Sequence, residues 1–173
     1  MRNVAFAVLL IVGLMLGGCI PKVVSSWGPG PMNGATVSNE SFDASIEPLP
    51  FADSTYNGFV LTINNKTTND IQIDWNRTMF IDNGSTNGTF MFEGVNYAKR
   101  NDPKAPDIAF PGMKFSRAIF PNALASLYSG YKTYNWVNGI FETGDYGVYL
   151  VAMVDGKEVK EKMMISVNTK IVK

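Results

Sequence analysis

The chain has 173 residues, with 15 lysines and arginines balanced by 15 aspartates and glutamates, no histidine and one cysteine. That balance leaves no positive excess to neutralise phosphates, which argues against nucleic acid as a partner and against electrostatic attachment to anionic lipid. Without histidine there is no imidazole base, no Ser-His-Asp or Cys-His constellation and no imidazole metal ligand, and one cysteine forms no internal disulfide.

At the N-terminus, Met1-Arg2-Asn3 leads into an apolar run from Val4 to Leu16, then Gly17-Gly18-Cys19. A positive start, an apolar core of about 7–15 residues and small residues at the cut make a secretory signal peptide. The glycines keep side chains away from a backbone that a peptidase must draw out extended. The cysteine behind them offers a thiolate to a diacylglyceryl donor. Residues 1–19 resemble the lipobox of bacterial lipoproteins. The expectation is removal of residues 1–18 and attachment to a membrane through lipid on Cys19. An uncleaved span needs about 20 apolar residues, whereas Gly13, Gly17 and Gly18 interrupt this run. Ile20, standing where an aspartate would follow the cysteine, implies by the same resemblance a cell-envelope address in the outer membrane rather than the inner.

Residues 19–39 read as the lipidated cysteine and a flexible tether, because Pro21, Gly28, Pro29, Gly30, Pro31 and Gly34 break any regular element. A flexible chain of that length spans roughly 25 Å, enough to lift a domain clear of the headgroups. Trp27 inside it has two readings, at the membrane interface or packed on the domain.

Over 40–173 the hydrophobic pattern has a period of two, the mark of half-buried strands. Phe59, Leu61 and Ile63 alternate with Val60, Thr62 and Asn64; Ile71, Ile73 and Trp75 alternate with Gln72, Asp74 and Asn76. Near the C-terminus Val159, Glu161, Met163, Ile165, Val167, Thr169 and Ile171 share a face, and Asp155-Gly156 joins that strand to Gly147–Val154. Asp-Gly between alternating runs is a strong hairpin signal. The two-sided apolar run Val148–Val154 predicts a central strand, and the lysine-rich outer face of 157–170 a guarded edge. A helical turn is expected near Asn122–Tyr128. Eight or nine short strands predict an all-β fold, a single immunoglobulin-like antiparallel β-sandwich.

The stretch Phe59–Thr67 with Ile71–Trp75, and the later Gly94-Val95-Asn96-Tyr97 and Phe110-Pro111-Gly112, resemble a group of bacterial envelope lipoproteins with sandwich domains. That group has no assigned activity, so the resemblance implies fold and address only.

Chemistry is sparse. Ser129-Gly130-Tyr131-Lys132 has the Ser-x-x-Lys form, but Gly130 breaks the helix that would set lysine one turn from serine, and no Lys-Thr-Gly follows. Asp82 and Glu93 have the spacing of a calcium loop, but Asn87 stands where its turn needs glycine. Asp70, Asp74, Asp102, Asp107, Glu142 and Asp145 are scattered through turns, the default place for solvated carboxylates. No catalytic residue, metal or cofactor is expected. Tyr131, Tyr134 and Trp136 fall close together near Gly130 and Gly139. Exposed, they would make a recognition patch for an envelope protein or glycan; buried, they would pack the sandwich. The expected function is a non-catalytic binding or structural module. The alternative is a carboxylate- or metal-dependent enzyme or accessory protein acting on cell-wall glycans.

Overall fold

The computed structural model describes residues 22–30, 34–128 and 136–172. Residues 1–18, Cys19, Tyr131 and Tyr134 lie outside them. One antiparallel sheet is built on β1 (Lys22–Pro29), β13 (Gly144–Val154) and β14 (Lys157–Val172), with β5 (Ile71–Ile73), β6 (Met79–Asp82), β7 (Ser85–Thr86) and β9 (Asp107–Ala109) added beyond β13. The other sheet holds β2 (Thr36–Ser38), β3 (Phe42–Pro50), β4 (Tyr56–Asn65), β10 (Lys114–Pro121) and β8 (Phe90–Met91), in that spatial order. β11 (Ala125–Leu127) and β12 (Trp136–Asn138) pair only with each other. The protein is an all-β sandwich.

The period of two explains which faces meet. Phe59, Leu61 and Ile63 are fully buried on β4, while Asn64 is exposed. Ile71, Ile73 and Trp75 are buried from the opposite sheet, with Val148, Leu150, Ile165 and Val167, in one shared core. At its centre Phe141 sits 5.0 Å from Phe59 and stacks on Tyr146 at 4.7 Å, ring centre to ring centre. The hairpin turns match their residues: Asp155-Gly156 has φ of 49° and 72°, and Asn83-Gly84 has 46° and 86°. Two successive positive φ values define the turn whose twist suits a two-residue hairpin.

β5 and β6 lie end to end along one edge of β13, separated by residues 74–78. The ladder is not left open there. Asp74 N–H donates to Val151 O at 2.9 Å, and Val151 N–H donates to the Thr78 hydroxyl at 3.1 Å. A buried amide without a partner would cost about 1–3 kcal/mol, so a side chain serves where the backbone bulges away.

Three expectations need correction. The tether is much shorter than 19–39, because residues 22–29 pair with β14 along eight positions, from Lys22↔Val172 to Pro29↔Ile165. Gly28 and Pro29 fall at the end of the strand, and proline is tolerated on an edge. Trp27 pairs with the buried Val167 and lies on that face of the ribbon, but is itself 38% exposed. For the same reason the lysine-rich strand is not an edge throughout: β1 covers its second half, and only the part before Met164 has no strand on that side among the described residues. Finally, the helical turn near Asn122–Tyr128 is one 3-10 turn, Asn122–Leu124, followed by β11. A single turn repays little of the cost of helix nucleation, and here the Asn122 side chain is held by Thr89 Oγ1 at 2.9 Å and Arg100 O at 3.0 Å.

Candidate functional site

The aromatic segment singled out in the sequence leaves the sandwich as the β11–β12 hairpin. Register sets Leu127 opposite Trp136, Ser126 opposite Val137 and Ala125 opposite Asn138. The base is pinned to the domain. Gly139 N–H donates to Leu124 O at 2.9 Å, Phe141 N–H donates to Tyr56 O at 2.7 Å, and the buried Asn138 amide donates to Asn57 O.

Trp136 belongs to that attachment. Its indole meets Phe120 edge-on at 5.3 Å, and its N–H donates to Val95 O at 2.8 Å. The residue is half-buried, so the reading of Trp136 as a member of an exposed patch is corrected: it packs. Tyr131 and Tyr134 fall outside the described residues. Around their segment, Leu127 is 64% exposed and Tyr128 52%, with Val137 exposed on the outer side of the hairpin. Sequence reasoning missed Leu127 and Val137, since two apolar residues in three-residue strands show no period.

Beside the hairpin, the loop that receives the Trp136 N–H forms an open cleft of about 700 Å³, lined among others by Val95, Asn96, Lys99, Asp102 and Lys104. Asn96 Oδ1 accepts from Ala98 N–H at 2.9 Å and starts a 3-10 turn, Tyr97–Lys99. The Arg100 guanidinium lies 4.1 Å over the Tyr97 ring. Lys104 Nζ donates to Arg100 O at 2.9 Å, and burial pushes its pKa below the usual lysine value against the opposing pull of Asp102. Asn76 and Lys104 exchange two further bonds at 2.8 and 2.9 Å. Lys104 is thus a clamp on its own loop, and the cleft offers polar and cationic contacts rather than a group poised for nucleophilic attack.

The carboxylates scattered along the sequence mostly have structural roles. Asp107 accepts from the Trp75 indole N–H at 2.9 Å and pairs with Arg117 at 2.5 Å. Asp145 accepts from the Ser166 hydroxyl at 2.5 Å, and Asp74 accepts from Asn76 N–H at 3.0 Å. Asp82 accepts from the Asn83 and Asn87 side chains at a hairpin turn. Among the described residues no cluster of three or more acidic, cysteine or histidine side chains is arranged to hold a metal ion. No helix among them is long and apolar enough to cross a membrane. Comparison with protein-family models, with curated proteins and with solved structures finds no match to this chain.

Proposed function

We propose that the protein is a cell-envelope lipoprotein, cleaved before Cys19, held on the outer membrane by lipid on that residue, and acting there as a non-catalytic binding or structural module. The observation that carries this reading is the Leu16-Gly17-Gly18-Cys19 motif at the end of the thirteen-residue apolar run Val4–Leu16. Two or more acyl chains give stable anchoring where one is marginal. The sandwich, read as immunoglobulin-like because its chain crosses repeatedly between two antiparallel sheets, serves as the rigid support. Its partner is a protein or glycan of the envelope, met at the β11–β12 hairpin by Leu127, Tyr128 and Val137 with Tyr131 and Tyr134. Aromatic side chains suit such contacts because they offer large, stiff area at low entropic cost.

The test is the intact mass of the protein purified from membranes. Mature protein beginning at Cys19 with added acyl mass is expected, and Cys19→Ala is expected to remain as unprocessed precursor or leave the membrane. A soluble mature form without acyl mass would overturn the reading. Crosslinking in cells, with Tyr131→Ala and Tyr134→Ala as the comparison, then tests the hairpin.

A further inference from the structure

We infer that one end of the sandwich rests directly on the bilayer, with Phe51, Ile140 and Ile171 entering the membrane interface. This inference rests on the proposed lipid at Cys19 and concerns where that lipid puts the domain. Only Ile20 and Pro21 lie between Cys19 and Lys22, the first residue of β1, a path of three residue steps. Fully extended they reach at most about 11 Å, comparable with the headgroup layer, which is about 5–8 Å deep on each side of the hydrocarbon. From Lys22 onward the chain is committed to eight paired positions on β14 and supplies no slack. The end of the fold that contains Lys22 is therefore held at the membrane surface.

That end has the surface such a position requires. Eleven large apolar side chains are exposed among the described residues, and five of them, Val24, Phe51, Ile140, Ile171 and Val172, lie on the elements gathered here. Register places Ile171, 66% exposed, opposite Val23 on the face that continues the core-facing side of the β1–β14 ribbon. Val23 in turn lines an open cleft with Lys22, Phe51, Ala52, Asp53, Thr55 and Ile140. Phe51, 54% exposed, stands at the mouth of the turn between β3 and β4. The turn is stiff and strained: Asp53 and Ser54 both adopt positive φ, 53° and 60°, without being glycine. It is closed by Phe51 N–H to Thr55 O at 2.7 Å and by the Thr55 hydroxyl to Ala52 O at 2.5 Å. Backbone strain of this kind persists where the surroundings hold it, and it is concentrated at functional surfaces. Lys22 and Lys170 share the other face of the ribbon with Val24 and Val172, a place from which long basic side chains can reach lipid phosphates.

The opposite end differs. There the turns 66–70 and 155–156 meet through Asn69 Nδ2 and Asp155 Oδ1 at 2.7 Å. β14 alone, with 16 residues, separates that end from Val172 by about 50 Å. Phe110 and Met113 are exposed near it, among Lys66, Asp70, Lys114 and Lys157.

The experiment uses the full acylated protein in vesicles of phosphatidylethanolamine and phosphatidylglycerol. Cys19 is the only cysteine, so once acylated it leaves Phe51→Cys, Ile140→Cys, Ile171→Cys and Asp155→Cys as unique attachment points for a nitroxide. Labels at 51, 140 and 171 are expected to show a ratio of oxygen to nickel-chelate accessibility several-fold above that at 155. Equal ratios at all four positions, with acyl mass present on Cys19, would overturn the inference and leave the lipoprotein reading standing. Labels at 51 and 140 shielded from both reagents would also overturn it, since that marks a protein over the surface. Absence of acyl mass would retire both.

Discussion

Trp75 and Trp136 are the same residue used in two ways. Trp75 is 1% exposed, meets Phe92 edge-on at 4.8 Å and gives its N–H to Asp107, whose other partner is Arg117. Arg117 then lies 4.5 Å over the Phe92 ring, which closes the circuit. Trp136 is half-buried, touches one ring and gives its N–H to a loop carbonyl. The first is enclosed by both sheets; the second is a rivet that fastens an appended hairpin to the outside. Satisfying the indole N–H is needed in both places, but the area removed from water differs, and that area sets the energy.

The largest effect should come from Trp75→Ala, expected to cost about 3–5 kcal/mol, because it leaves a cavity and takes the indole N–H away from Asp107. Denaturant unfolding of the domain measures it, and a loss below about 1 kcal/mol would mean that Trp75 does not hold the sheets together. Trp136→Ala should cost less, about 2 kcal/mol, since part of the ring already meets water, whereas Trp75 is enclosed. Its second signature is faster proteolysis within the 125–138 hairpin while the core stays resistant. A cost equal to that of Trp75 would erase the distinction between the two sites. Leu127→Ser with Val137→Ser, both exposed though on opposite faces of the hairpin, should change stability by less than about 0.5 kcal/mol. If the proposed binding role of the hairpin holds, the same pair should weaken its crosslinks in cells. The smallest effect concerns Tyr146 in the core. Burial, with Asp82 nearby, raises its phenol pKa above the usual 10.0. The unfolded phenol loses its proton near pH 10 while the folded one retains it. Stability from this group is therefore complete below pH 10 and is lost as pH rises through the folded value. Tyr146→Phe should flatten that alkaline decline in a series of melting temperatures.

The same pair of tryptophans shows how much was legible in the sequence. Ile71, Ile73 and Trp75 continue one alternation, so the inward face of that strand followed from side-chain period alone. Nothing local marks Trp136 as an anchor, because its hydrogen-bond partner is 41 residues away in a loop without periodicity. The long strands β4, β13 and β14 carry enough residues to show alternation. β7, β8, β11 and β12, of two or three residues each, do not, which is why fourteen described strands exceed the eight or nine expected. β1 was hidden for a different reason. Its interior, Val23 to Trp27, is ordinary strand sequence, but prolines and glycines crowd both ends and read as a tether. Its true determinant is the open side of β14, far along the chain. The strained Asp53-Ser54 turn is equally silent, since neither residue is the glycine that normally announces positive φ.

The pairing of β1 with β14 also has a mechanical consequence. For a domain held by lipid on Cys19, a pull between membrane and partner enters the fold at Lys22 and runs along the strand axis. β14 lies antiparallel beside it over eight positions. The load then falls on all eight together, in shear, rather than opening them one after another as a zipper would. Under the proposed anchoring at Cys19, resistance to extraction would be carried by the whole β1–β14 ladder.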